Sequence, residues 1–186
     1  MNHVPKPELI SKRLKLRLIQ ISDLDAIHNL HSIPETDEFN TLGMPKNTDE
    51  TKAIIQPWIL DHKLEDVRNY TFAIELIDGG KFIGLIALKL GKEKYRNAEV
   101  WCKLRSDCWG NGFGTEALSA VISYGFDELN LHRIEAGCAV DNLGSIKVLE
   151  NVGMIQEGRK RKVLPLKNGW CDNFVYAILE TDARNV

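Results

Sequence analysis

The sequence lacks the marks of export and of membrane spanning. It has no N-terminal apolar run of signal-peptide length and no stretch of about 18 uncharged apolar residues, so a cytoplasmic protein with no membrane partner is the expectation. Cysteine is sparse: four residues, at 102, 108, 138 and 171, with no CxxC pair and no histidine at ligand spacing. That argues against a disulfide framework and a structural zinc site, and predicts reduced thiols and no metal. Excess positive charge is also missing. A formal net charge of −2 argues against dedicated nucleic-acid binding, which asks for a basic surface. No Pro/Gly/Ser-rich linker, internal repeat or low-complexity segment divides the chain, so residues 1–186 are read as one domain, standing as a monomer or a homodimer.

What is there is polarised. Between positions 20 and 66 ten Asp/Glu stand against three Lys and no Arg, whereas positions 1 to 19 hold five Lys/Arg against one Glu. "RLKLRLI" (13–19) alternates apolar and basic residues as a half-buried strand does, and "SDLDAIHNLHS" follows as a helix with Ser22 as its expected N-cap. A second helical stretch opens at Thr48 or Asp49, and Pro57 should break or kink it. "TFAIEL", a turn at Asp78-Gly79-Gly80, "KFIGLIALKL" and then "AEVWCKL" predict three strands in an antiparallel meander. A helix reaching Asn130, the strand "HRIEAGCAV", a helix capped by Asp141 or Asn142 and closed by Gly153, and two last strands follow. The order is β-α-α-β-β-β-α-β-α-β-β, a mixed α/β fold.

"CWGNGFGTEAL" (108–118) places glycines at 110, 112 and 114 where a strand has ended and a helix begins. Bare backbone at a helix N-terminus presents unpaired amides to an anion such as phosphate. A tight loop whose glycines serve only for positive φ is the plainer alternative. A Walker A loop would need Gly-Lys-Ser/Thr, which is absent, and the dinucleotide fingerprint fails at Thr115. The strand before the loop alternates with a polar face, unlike the doubly buried first strand of a nicotinamide-binding sheet.

Through these residues the chain resembles the GNAT superfamily of acetyl-CoA-dependent N-acetyltransferases, in its ribosomal-protein alanine N-acetyltransferase (RimJ/RimL) branch. The likeness runs from "RLKLR" through the stretch Glu99 to Glu116 and on to "AGCAVDNLGSIKVLENVGMIQEGRKR". One signature, Gln/Arg-x-x-Gly-x-Gly/Ala, is matched at Gly112 and Gly114 with Trp109 at its head. A second, Asn-x-x-Ser before Val-Leu-Glu-x-x-Gly, is matched at Asn142, Ser145 and Gly153. The resemblance implies a mixed, mostly antiparallel sheet flanked by helices, with two splayed parallel strands, "AEVWCKL" and "HRIEAGCAV", forming the acyl-CoA cleft. It implies acetyl-CoA as cosubstrate, its pyrophosphate on the amides around Asn111, Gly112, Phe113, Gly114 and Thr115. The pantetheine arm would run near Lys103 and Leu104, with Asn142 bonding it.

Acetylating an amine from a thioester needs a neutral amine and a stabilised leaving thiolate. By resemblance Glu99 is a base, through water, or alternatively an exposed strand glutamate. Glu157 is a second candidate, and Glu116 is structural. Ser145 donates to the thiolate or caps its own helix, and Asn142 acts on the arm or only as an N-cap. The acceptor is expected to be a peptide N-terminus or a small cationic amine; a non-catalytic acyl-CoA-binding module on the same fold is the alternative. His28 and His31 share a helix face without a third ligand, so an exposed polar face is expected. The basic run Arg159 to Lys162 reads as a solvated strand, and Trp58, Trp101 and Trp170 as core or cleft wall. The branch has glycine and an aromatic where this chain has Trp101-Cys102, which argues against carrying over a ribosomal-protein substrate.

Overall fold

A computed structural model describes residues 7–184. Lys6, one of the five N-terminal cations, lies outside the described residues. Eight strands form one sheet: β1 (Glu8–Ile10), β2 (Leu14–Leu18), β3 (Asn69–Leu76), β4 (Phe82–Leu90), β5 (Asn97–Leu104), β6 (Arg133–Ala139), β7 (Ile155–Leu166) and β8 (Gly169–Leu179). Their spatial order is β1-β2-β3-β4-β5-β6-β8-β7, and every pairing is antiparallel except β5 with β6. The helices are α1 (Leu24–His31), α2 (Pro34–Asp37), α3 (Thr48–Asp61), α4 (Phe113–Asp127) and α5 (Leu143–Asn151). The mixed α/β sheet expected from the sequence is present, with two short additions that it did not announce, β1 and α2.

Both faces of the sheet are covered. Leu14, Leu16 and Leu18 of β2 point to the same side as Ala98 and Val100 of β5, against Ala117, Leu118, Val121 and Ile122 of α4. On the other side Ala73 and Leu85 meet Ile27 and Leu30 of α1 and Ile55 of α3, with Trp58 and Trp101 packed alongside. A central strand covered twice needs apolar residues at every position. This is why Ile83 through Leu88 of β4 are buried without a break.

The helix ends differ from expectation in instructive ways. Ser22 does not cap α1: a 3-10 turn over Ile21–Asp23 precedes the helix, and Gln20 and Asp23 form its capping box, with the Gln20 N–H donating to Asp23 Oδ2 at 2.8 Å. Asp23 is in turn gripped by Arg17 at 2.7 and 2.8 Å, and Arg17 also reaches Glu75 on β3, so the α1 entry is pinned to two strands. At α3 the cap is Asn47, one residue before the expected pair, its side chain accepting from the Glu50 N–H at 2.9 Å.

Pro57 sits inside α3 and does not end it. An interior proline costs about 3 kcal/mol. Burying Ile55 and largely burying Trp58 against the sheet returns roughly 1.5–3 kcal/mol each, which is enough to carry the helix through.

At the other end of the chain α5 begins and ends as the sequence predicts. Asn142 caps it, and Gly153 follows the C-cap Val152 with φ +92. The Gly153 N–H donates to the Glu150 carbonyl and the Met154 N–H to the Leu149 carbonyl, the paired bonds of a Schellman motif, with Leu149 and Met154 both buried beside them. Gly153→Ala places a Cβ in the left-handed region and should destabilise the fold by about 1 kcal/mol or more. Thermal melting should register this as a loss of roughly 2–4 °C; an unchanged melting temperature would mean that the motif does not need glycine.

Candidate active site

The parallel pairing of β5 and β6 is short. It runs through Asn97↔Arg133, Ala98↔Ile134 and Glu99↔Glu135 and stops, while β4 stays paired with β5 to Leu104 and β8 with β6 to Ala139. Beyond Glu99 the two strands therefore part. Register fixes which backbone groups this frees. At the two ends of the β4–β5 ladder, Arg105 N–H donates to Ile83 O and Gly91 N–H to Asn97 O, so by antiparallel alternation the odd-numbered residues of β5 bond to β4. Lys103 turns its backbone to Leu85, and Cys102 and Leu104 present theirs to the gap. One of these groups is already engaged: Trp109 Nε1 donates to the Leu104 carbonyl at 3.0 Å.

Both helices that follow the parted strands begin at the gap's end. The loop between β5 and α4 carries Gly110 at φ +75 and Gly112 at φ +78, with Gly112 as the α4 N-cap. The first helical bond runs from Glu116 N–H to Gly112 O, so the amides of Phe113, Gly114 and Thr115 have no acceptor within the helix. Gly114 is glycine for a different reason. A Cβ there would meet Val148 of α5 at 3.2 Å and Leu104 at 3.5 Å, so its bareness lets the two helices close on each other.

The loop is held from behind. Glu116 accepts from Ser11 Oγ at 2.8 Å, from the Arg13 N–H at 2.7 Å and from Arg13 Nε at 2.7 Å. Burial acts to raise its carboxyl, but these bonds outweigh it and keep the group below its ordinary value. Arg13 also donates to the Asn111 carbonyl at 3.0 Å and lies over the Phe113 ring at 4.5 Å. The Asn111 side-chain amide donates to the carbonyls of Cys108 and Trp109. Carbonyls are thus turned inward and amides left outward.

Across the gap, Asn142 Oδ1 accepts from the Ser145 N–H at 3.0 Å. Asn142 is the cap, and the half-buried Ser145 keeps a hydroxyl with no hydrogen bond among the described residues. Glu99 is exposed at the last shared rung and makes no hydrogen bond or ion pair among the described residues. Glu157 is differently placed: both its oxygens accept from Arg133, which holds its carboxyl below the usual range. That makes it a poor proton acceptor.

Several side chains depart from expectation. His31 is 1% exposed, not on a polar face, and its Nδ1 lies 3.2 Å from Lys103 Nζ; His28 Nδ1 lies 2.8 Å from Thr51 Oγ1. Burial, then Lys103 and His28, push His31 down to about 4, and burial pushes Lys103 down to about 8 with Asp37 acting in the opposite sense. Trp101 stacks obliquely on Trp58 at 5.7 Å between centroids, fixed to α3 as wall, whereas Trp170 is 61% exposed near the β7–β8 turn. The basic run Arg159 to Lys162 is, as expected, an exposed stretch of strand, with Arg159 pairing with Asp172 at 2.7 Å and the Lys162 N–H donating to the same carboxylate. The bond from Trp109 to the Leu104 carbonyl and the Lys103–His31 contact were not visible in the sequence, because each depends on the finished fold. Among the described residues no group of three His, Cys, Asp or Glu could hold a metal ion, and no helix is long and apolar enough to cross a membrane.

Residues 13–155 match the model of the acetyltransferase (GNAT) domain family. The uncharacterized N-acetyltransferase p20 of Bacillus licheniformis is 30% identical over 94% of this chain and 97% of its own length. Among solved structures, a GNAT-family acetyltransferase of Bacillus anthracis superposes with a TM-score of 0.81 at 28% identity, covering 94% of this chain and 99% of that one. The spermidine N-acetyltransferase of Vibrio cholerae, in complex with CoA and spermine, has a TM-score of 0.81 at 24% identity, covering 92% and 98%; at that identity the likeness is one of fold. Splayed strands, an amide-bearing loop and a match that spans most of the chain agree: this protein belongs to the GNAT acetyltransferase family and is an N-acetyltransferase that takes its acetyl group from acetyl-CoA.

Proposed function

We propose that the acceptor is a cationic primary amine, either a peptide N-terminus or a small polyamine-like molecule, and that acetyl-CoA lies along the gap between β5 and β6. The observation that carries this reading is the early end of the β5–β6 ladder, which frees backbone groups in line with the α4 amides. The pyrophosphate would rest on the amides from Asn111 to Thr115. The helix dipole contributes roughly 0.3–2 kcal/mol there, so direct N–H bonds must supply the rest. The pantetheine arm would pair with Cys102 and Leu104 and with the Asn142 carboxamide N–H, since the carbonyl of that side chain is committed to its cap.

Glu99 is assigned as the proton acceptor, through water, because it is the unpaired carboxylate at the point of parting. Ser145 is assigned as donor to the departing thiolate. The acceptor's charge is argued from the acidic segment 20–66. Asp23 is neutralised by Arg17 and Asp61 holds the Arg68 and Asn69 amides, but Asp25, Glu35, Glu38, Asp49, Glu65 and Asp66 are exposed. The polyamine complex of the related fold supports the same choice.

Gly112→Val should weaken acetyl-CoA binding by about tenfold or more, about 1.4 kcal/mol, because φ +78 strains a side chain in the amide loop. Gly114→Val should instead lower the melting temperature most, through the clash with Val148. Calorimetry and melting separate the two; equal affinity in a folded Gly112→Val would return the loop to a simple turn.

Turnover should distinguish the two side chains. Glu99→Gln is expected to cut kcat by about 10²- to 10⁴-fold with partial recovery at high pH, where more amine is already neutral. Ser145→Ala should cost about ten- to a hundredfold at every pH, the worth of one hydrogen bond to a charged group. A fully active Glu99→Gln across the pH range would remove that residue from the mechanism.

Steering by the acidic face predicts a kcat/KM that falls between 0.1 and 1 M salt, as the Debye length shrinks from about 10 to about 3 Å. Indifference to salt would leave the charge asymmetry without a part in substrate capture.

A further inference from the structure

Of the lysines among the described residues, only Lys15 and Lys103 are not exposed. Lys15 pairs with Glu8 at 2.8 Å. Lys103 has no carboxylate within ion-pair distance among the described residues; its Nζ contacts the imidazole of His31 at 3.2 Å. An ammonium can only donate, so Nδ1 is the acceptor and the ring proton sits on Nε2. Among the described residues that Nε2, on a side chain almost wholly buried, has no partner, and neither has the buried Nδ2 of Asn40 or the buried Oδ1 of Asp37. A half-buried amine with no carboxylate at ion-pair distance among the described residues thus lies on the α1–α2 side of β5, where Asp37 acts on it only from farther away.

The position matters as much as the chemistry. Lys103 lies between Cys102 and Leu104, the two residues whose backbone groups face the gap beyond the last β5–β6 rung. Its side chain leaves the strand on the same face as Glu99 and Trp101. If acetyl-CoA lies along those backbone groups, as proposed above, this chain carries a primary amine of its own beside the thioester.

We propose that Lys103 is a self-acetylation site, taking the acetyl group from acetyl-CoA when no acceptor amine occupies the cleft. The inference rests on the cofactor placement given under the proposed function. The lone pair of neutral Nζ attacks the thioester carbonyl carbon; the C–N bond forms, the C–S bond breaks, and the electron pair leaves on sulfur. The nitrogen gives up one proton, which the thiolate takes through water, so the products are acetyl-lysine and the free thiol with no change in oxidation state. The new amide N–H can still donate to His31 Nδ1.

The chemistry requires the neutral amine. The charged and titratable groups facing Lys103 are His31, with His28 behind it, from α1, Asp37 from α2 and Glu99 two residues back on its own strand; β4 and α3 present Leu85 and Trp58. Burial leaves the amine at about 8, so its neutral fraction climbs about tenfold from pH 7 to pH 9 and gains little beyond. An ordinary lysine near 10.4 would climb nearly a hundredfold over the same range.

The test is incubation of the full chain with isotopically labelled acetyl-CoA and no added amine, followed by peptide mass spectrometry. Acetyl-CoA binding is measured in parallel by calorimetry. The expected result is one labelled acetyl group on Lys103, absent in Lys103→Arg, with an initial rate rising about tenfold from pH 7 to pH 9 and levelling. Bound acetyl-CoA with Lys103 unlabelled overturns self-acetylation and leaves the cofactor placement standing. Label spread over surface lysines equally in wild type and Lys103→Arg also overturns it, as solvent chemistry. Failure of acetyl-CoA to bind overturns the cofactor placement and this inference with it.

Discussion

The structure turns on a hydrogen-bond ladder that stops after three rungs. β5 and β6 are each fully paired on their outer sides, so neither can bend away to find another partner once they separate past Glu99 and Glu135. Backbone donors and acceptors inside a fold cannot be left unpaired without cost. The gap is therefore suited to something extended that carries amides of its own. Trp109 meets part of that demand at the Leu104 carbonyl. The rest is left to a ligand.

From that parting the placement of the other parts follows. Each strand hands the chain to a helix, so two helix N-termini converge on one end of the gap. Gly114 eases their approach, since a Cβ there would press on Val148 at 3.2 Å. The glycine loop before α4 is then held from a distance. An exposed Arg–Glu pair alone would contribute little. Here, though, Glu116 is mostly shielded and accepts three hydrogen bonds, in the helix's first turn where negative charge is favoured. Arg13 uses its remaining reach to hold the Asn111 carbonyl. The loop's outward amides are set by what restrains its carbonyls.

How far the sequence disclosed this depends on the range of the interaction. Features governed by local backbone preference were legible: the alternation of β2, the αL glycines at 112 and 153, the Asn142 cap. Features governed by contacts distant in sequence were not. Pro57 reads as a breaker until the burial of Ile55 and Trp58 outweighs it. His31 reads as surface until α1 is laid on the sheet beside Lys103, 72 residues away. Trp170 reads as core because tryptophan usually is, yet it lies near the turn of a long hairpin and is mostly exposed. At the candidate site the glycine loop stood out by its spacing, whereas Ser145 entered through the resemblance to the family signature. The backbone of Cys102 in place of that of Lys103 could be seen only from strand register, which no motif encodes.

Register also gives Lys103 its unusual standing. Had the ladder been shifted by one residue, its side chain would have faced α4 and the apolar core. As it is, one cation without a carboxylate partner is set beneath helices that carry an excess of exposed acid. While charged it offsets part of that field, and burial weakens its hold on the proton. Loss of the charge, by deprotonation or by acylation, leaves the α1–α2 side of β5 more uniformly negative. Deprotonation removes charge alone, whereas acylation also adds bulk and an amide, so the two neutral states of the same lysine differ in shape and in hydrogen bonding.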